Sequence, residues 1–191
     1  MSLHRLFFSP HNFFEEMAEE YRFKPFLTYL GVSLIVILIK HATDAYLSAS
    51  LLSFFRVEKI VRIALELGIV LAIPVMIYIM LHFLLIRIHG TSTKHKAITQ
   101  TLKVMYYGHA ILLLYIVPLI LLSLLAEGHE RIIEAIGIAI GLLSIIHTGH
   151  IEVTGISHIH GLSKKKASIL VFLAVTFTLI LFLHYVFNLI L

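Results

Sequence analysis

The sequence predicts an all-α polytopic membrane protein: a five-helix transmembrane bundle over residues 25–191, preceded by an N-terminal amphipathic interfacial helix within residues 1–24. Three observations predict it. Mean hydropathy is +0.97, and 59% of residues are hydrophobic against 14% charged, where a globular chain is about one-quarter charged. A soluble domain of 191 residues has too little interior to hide that much apolar surface, so its main solvent is lipid. The apolar residues also fall into five segments, most of them near or beyond the ~20 residues that cross a ~30 Å hydrocarbon core. Finally, the basic residues sit between these segments and divide unequally between their two sides.

The entry comes first. Ser9 followed by Pro10 reads as an N-cap with proline at the first helical position. Phe13, Phe14, Met17 and Tyr21 then share one helical face, and Glu15, Glu16, Glu19 and Glu20 the other. Such a helix either lies in the membrane interface, apolar face down, or packs on the ends of the bundle. Its acidic face gains nothing from anionic lipid, so electrostatic recruitment is not expected. A signal peptide is not expected either, because these glutamates precede the first apolar run.

The predicted spans are 25–40, 60–88, 101–125, 132–147 and 167–191. The first is short, and Lys24 and Lys40 must snorkel. Pro74 in the second predicts a kink, and the third carries Pro118. One side of the membrane collects Arg5, Arg22, Lys24, Arg87, Lys94, Lys96, Lys103, Lys164, Lys165 and Lys166. The other collects Lys40, Arg56, Lys59, Arg62 and Arg131. The positive-inside rule therefore places the N-terminus in the cytoplasm and the C-terminus outside, in a multi-pass cell-membrane protein. The net charge of +4 follows from this topology and does not indicate a nucleic-acid surface.

Histidine is the chemical anomaly. Ten of thirteen fall on the cytoplasmic side: His4, His11, His82, His89, His95, His109, His147, His150, His158 and His160. Imidazole titrates near neutral pH and is a common transition-metal ligand. His82 and His89 share a face of the second span, and His147 and His150 share one at the end of the fourth, with Glu152 just beyond and His109 at comparable depth. His82, His89, His109, His147, His150 and Glu152 are thus candidate ligands for a Zn, Fe or Mn ion. The alternative is a set of interfacial histidines hydrogen-bonded to loop carbonyls and water.

Other patterns are structural in character. Glu58, Arg62 and Glu66 recur at intervals of four and form a ladder of helical ion pairs, which Lys40 and Asp44 repeat. Gly137 and Gly141 form a GxxxG, suited to close packing inside the bundle or to a homodimer face. The absence of cysteine excludes disulfides, thiolate metal sites and cysteine nucleophiles. Asparagine and glutamine are also scarce, which fits a thermophilic source and fits equally the low polarity of a membrane chain. No phosphate loop, nucleophile elbow or catalytic triad pattern is present.

Four stretches resemble the Yip-domain family of Ypt/Rab-interacting integral membrane proteins, in its short prokaryotic form. The entry Ser9-Pro10-His11-Asn12-Phe13-Phe14 followed by Lys24-Pro25 is similar to the family's proline-to-proline lead-in. Arg87-Ile88-His89-Gly90 and the run to Tyr106-Tyr107 resemble its second connection, and Tyr115 to Pro118 its third span. Gly141 through His147 and Gly155-Ile156-Ser157 to Ser163 and Ala167 resemble the exit of the fourth span and the small-residue start of the fifth. The resemblance implies five spans with a cytoplasmic N-terminus. In eukaryotes such proteins act in early secretory traffic with Rab-type GTPases; the long polar N-terminal region of those members has no counterpart here, so GTPase binding is not carried over.

Two functions follow. One is a non-enzymatic scaffold that organises the bilayer, a membrane-protein partner or a homo-oligomer. The other is a histidine-rich metal-binding or transport protein with its site among the cytoplasmic helix ends, favoured by the proline-bearing spans. Five spans without an internal repeat favour the scaffold.

Overall fold

The structure, a computed structural model, describes residues 3–16, 24–47, 57–89, 95–124 and 130–190. Its elements are α1 (Leu3–Phe8), α2 (Pro10–Glu16), α3 (Lys24–Leu47), α4 (Val57–His89), α5 (His95–Ser123), α6 (Glu130–His160) and α7 (Lys164–Ile190). Every described element is helical, as the sequence predicts. In lipid the backbone must satisfy its own hydrogen bonds, which leaves a lone chain little else. Among the described residues, α3, α4, α5 and α6 are each long and apolar enough to cross a membrane.

α5 is the centre. It packs along α3 on one side and α6 on the other, while α4 lies against α7, α3 and α5. Two apolar clusters result. The larger joins Leu6, Phe13 and Phe14 of the entry to Leu81 and Leu85 of α4, Met105 and Ile111 of α5, and Ala167 and Ala174 of α7. The smaller joins Tyr29 and Val36 to Ala110 and Leu113, between α3 and α5.

The entry departs from a single surface helix. α2 begins at Pro10 as the sequence predicts, but a further short helix, α1, precedes it. Leu6, Phe13 and Phe14 are buried, and α2 packs on α6. Met17, Glu19, Glu20 and Tyr21 lie outside the described residues.

The fourth span departs most. The sequence ends it at residue 147, yet α6 continues to His160. Gly149, Thr148, Thr154, Gly155 and Ser157 look like a loop in a soluble protein. In a membrane helix small and hydroxyl residues are tolerated because they permit close packing, and the Ser157 hydroxyl returns its hydrogen bond to the chain at the Leu162 carbonyl. The consequence is chemical: His147, His150 and Glu152 belong to the body of a helix and not to a helix end.

The true break follows His160. Gly161 adopts φ 61°, the left-handed conformation that glycine adopts without a Cβ clash. The Leu162 amide then donates to the Ser157 carbonyl at 3.1 Å, the long bond of a Schellman cap. The Ser157 hydroxyl donates to the Leu162 carbonyl at 2.6 Å, and Ser163 opens α7 by accepting from the Lys166 amide at 3.4 Å. Three exposed lysines in the first turn of α7 oppose the helix dipole.

Pro74 sits inside α4, which continues on both sides of it. Proline has no N–H, so the carbonyl four residues back, that of Val70, loses its helical donor. The Tyr29 hydroxyl of α3 takes that place, donating to Val70 O at 2.7 Å. Tyr29 is itself buried, and its carbonyl accepts from the Ser33 hydroxyl at 2.7 Å. A helix-weakening proline thus becomes a joint between α3 and α4. Tyr29→Phe should destabilise the protein by about 1–2 kcal/mol, the cost of an orphaned buried carbonyl. Pro74→Ala restores the missing N–H, so Tyr29→Phe should cost much less in that background. A double-mutant cycle of thermal unfolding in detergent checks this, and equal losses in both backgrounds would contradict it.

Candidate functional site

The α5–α6 crossing is set by two glycines. A Cβ on Gly108 would lie 2.8 Å from both Cγ and Oε1 of Glu152, and one on Gly155 would lie 2.7 Å from Val104 and 2.9 Å from Phe14. Neither glycine tolerates a side chain without displacing a neighbour. Gly108 lets the Glu152 carboxyl lie flat on the α5 backbone, and Gly155 lets Val104 and Phe14 meet α6. The GxxxG pair that stands out in the sequence behaves otherwise. A Cβ on Gly141 would meet no atom within 4 Å, and one on Gly137 would reach only Leu119, at 3.8 Å. Close packing inside the bundle is therefore not the role of Gly141.

Glu152 and His109 form a buried pair at this crossing, with His109 Nδ1 3.1 Å from Glu152 Oε1. Nδ1 also stands 3.0 Å from the Met105 carbonyl. A carbonyl only accepts, so Nδ1 carries the proton and donates along α5. The Glu152 contact is thus proximity without alignment, and Oε1 has no hydrogen-bond partner. Glu152 is 2% exposed. One helical turn earlier on the same face, the Thr148 hydroxyl is also buried and without a hydrogen bond. An unsatisfied buried polar group costs roughly 1–3 kcal/mol, a cost shared by His41, Thr154 and Thr178. Thr148 and Glu152 are among the residues around a cleft of about 280 Å³ between α4, α5, α6 and α7, which also includes the exposed Ile145, Phe172 and Val175.

His147 does a different job. Its Nε2 donates to the Phe7 carbonyl at 3.1 Å, so its Nδ1 accepts from the Tyr115 hydroxyl at 2.8 Å. The Phe7 ring packs edge-on against the imidazole, centroids 4.5 Å apart. One side chain of α6 therefore ties both the entry and α5. Further along α6, His11 and His158 meet edge-on at 5.7 Å, and His160 Nε2 lies 2.8 Å from the Thr101 hydroxyl.

Of the six candidate ligands, the structure brings together His109 and Glu152. His147 is engaged with Phe7 and Tyr115, His150 is exposed, and His82 stacks on Tyr78 within α4 at 5.8 Å. His89 is the last residue of α4, and its side chain lies outside the description. Among the described residues no group of three or more His, Asp or Glu side chains is placed to hold a metal ion.

A second polar cluster joins α3 to α4 at the opposite end. Glu66 Oε2 lies 3.0 Å from Lys40 Nζ and 3.3 Å from His41 Nε2, and Oε1 lies 3.2 Å from Arg62 Nε. The helical pair with Arg62 follows from the sequence; the partners from α3 do not. Arg62 is 67% exposed in this pair, so its share is small. Lys40 and Glu66, with Asp44, line a wider groove floored by apolar residues of α3, α4 and α5.

Sequence reasoning missed Gly108, and it reached Gly155 and Tyr115 only as parts of family-like stretches, with no packing role assigned. The signal for Gly108 was chemical type alone, a lone glycine beside a histidine. Gly108→Ala should destabilise the protein by about 1–3 kcal/mol through overpacking against Glu152. Gly141→Ala should be neutral or stabilising, since alanine favours the helix by up to ~1 kcal/mol. Thermal melting of both variants in one detergent checks the contrast, and a Gly141 variant that melts lower than the Gly108 variant would contradict it.

No curated protein and no solved structure matches the chain. The Yip1 domain family model matches residues 5–187, running from the entry helix through α7. The chain belongs to the Yip1 domain family of membrane proteins.

Proposed function

We propose that the protein is a non-enzymatic scaffold of the membrane, organising bilayer or a protein partner through a rigid five-span bundle and the entry seated on it. The observation that carries this reading is the use made of the polar groups within the bundle. Tyr29, Tyr115 and His147 each join one segment to another. The entry, whose Phe8 ring is exposed beside the buried Leu6, is held by His147 and presented as a fixed surface. On this reading residues 1–24 form an amphipathic segment and 25–191 the five-span domain, with α7 as the fifth span. The N-terminus is cytoplasmic and Leu191 external, as the ten-to-five division of basic residues favours.

The metal-binding alternative rests on His109 and Glu152, two groups where structural zinc usually takes four protein ligands and catalytic zinc three. Elemental analysis of protein purified without chelator or affinity tag separates the two. Zinc, iron and manganese should all be far below one per chain. One equivalent that disappears in Glu152→Gln would replace the scaffold reading.

Single cysteines at Ser2, Ser92 and Ser163 of this cysteine-free chain test the topology with an impermeant maleimide on intact cells. All three should stay unlabelled until the cells are opened, and labelling of all three from outside would overturn the orientation. The scaffold itself is tested by crosslinking the full chain in its own membrane. A discrete product with a second copy or one protein partner is expected, reduced in His147→Ala as the entry is released. A chain that crosslinks to no protein would contradict the reading, as would one that carries metal into vesicles dependent on His109 and Glu152.

A further inference from the structure

We propose that the groove between α3, α4 and α5 holds a zwitterionic phospholipid with a primary ammonium head, such as a phosphatidylethanolamine, its phosphate on Lys40 and its ammonium on Asp44. Charge supplies the first argument. Lys40 and Asp44 both line the groove and both are accessible, the Lys40 side chain at 43% exposure. They stand one turn apart on α3, about 5–6 Å between Cβ atoms, a gap that a phosphate and an ammonium joined by an ethylene link can bridge. Glu66 makes no demand on the head. Its Oε1 lies 3.2 Å from Arg62 Nε, and its Oε2 lies 3.0 Å from Lys40 Nζ and 3.3 Å from His41 Nε2. A lysine ammonium has three donors, so Lys40 keeps donors for a phosphate after meeting Glu66. Asp44 meets no cation or donor among the described residues.

The floor supplies the second. On α3 the apolar Ile37 precedes Lys40, and on α4 Ile69 and Val70 follow Glu66. The two helices run in opposite directions through the bundle, so their charges share one end of the groove and their apolar residues line the rest. Ile116 and Ile120 of α5 complete the apolar wall. The apolar run of α3 stops at Lys40, and that of α4 begins beyond Glu66. The charged end therefore lies at headgroup level, and the apolar length lies beside acyl chains. A volume of about 650 Å³ is within the range of ligand sites, roughly 300–1,000 Å³.

The lining also selects the head. Lys40 and Arg62 balance Asp44 and Glu66, so the head that fits carries no net charge. A purely anionic head would bring like charge to Asp44. A choline head has no N–H to donate, and quaternary ammonium is usually received by an aromatic cage. No aromatic side chain lines the groove among the described residues. A primary ammonium donates a charge-assisted hydrogen bond to Asp44, which is the group left without a partner. The groove lies at the end of the bundle opposite the entry, so this assignment and the scaffold reading can fail separately.

The test uses the full chain in phosphatidylcholine vesicles, with traces of three phospholipid probes that share one diazirine-bearing chain and differ in head: ethanolamine, choline and glycerol. Adducts of the ethanolamine probe should map around Ile37, Ile69 and Ile116. They should exceed those of the other two about fivefold or more, as expected for one charge-assisted hydrogen bond. Asp44→Asn, at an exposed position, should keep the melting temperature and reduce that preference about threefold or more. Asp44→Lys should move the preference to the anionic glycerol head. Equal labelling of the groove by the ethanolamine and choline probes would mean ordinary lipid contact and overturn the proposal. So would a preference for the glycerol head in the unaltered chain, or an ethanolamine preference undiminished in Asp44→Asn. Adducts absent from the groove with all three probes would overturn it too, leaving the groove to a second copy or to another part of the chain.

Discussion

The close crossing of α5 and α6 is the constraint on which the rest depends. Lipid tails are as apolar as leucine, so burying leucine against leucine gains little in a bilayer. Helices associate there through tight contact and through polar groups that find each other. At Gly108 and Gly155 the chain removes its side chains at two heights and lets α6 approach α5. The lower contact places the Glu152 carboxyl beside His109. The upper one opens a seat for Val104 and Phe14, and Phe14 brings the entry with it. His147 then completes the attachment from the same helix. Pair, cleft and docked entry all follow from one crossing.

What was legible in the sequence was whatever lipid dictates residue by residue. Apolar runs gave the helical class and the four helices long and apolar enough to cross a membrane among the described residues, and Pro10 gave the start of α2. Spacing gives depth along each helix as well, which places His109 and Glu152 at one level. It could not give direction around the helix. His147 and His150 are near neighbours in sequence, yet one is bonded to Tyr115 and Phe7 while the other is exposed. The end of α6 was hidden for a different reason, since glycine, threonine and serine punctuate soluble chains but pack well inside membrane helices. The GxxxG motif misled in the same way. Two glycines on one face state that close approach is allowed, and the partner decides whether it occurs; here single glycines at 108 and 155 carry the contact.

The polar groups divide by purpose. Tyr29 repairs the hydrogen bond that Pro74 breaks, and the Glu66 cluster with Lys40, His41 and Arg62 ties α3 to α4 at the opposite end. Glu152 meets His109 at 3.1 Å across the α5–α6 crossing. Architecture and chemistry then fit one description: a helical bundle whose polar groups tie its helices to one another and to the entry.

The central claim is that the entry is part of the bundle, seated on α6 by way of the crossing. His11 and His158, whose rings lie 5.7 Å apart, offer the most direct measurement. Cysteines at these two positions, in a chain that has none of its own, should be joined by a short bis-maleimide within native membranes. The same pair should fail to join when Gly155→Leu pushes Val104 and Phe14 away from α6. A His11–His158 pair that stays unjoined with Gly155 intact, or that joins equally well with leucine there, would contradict the account.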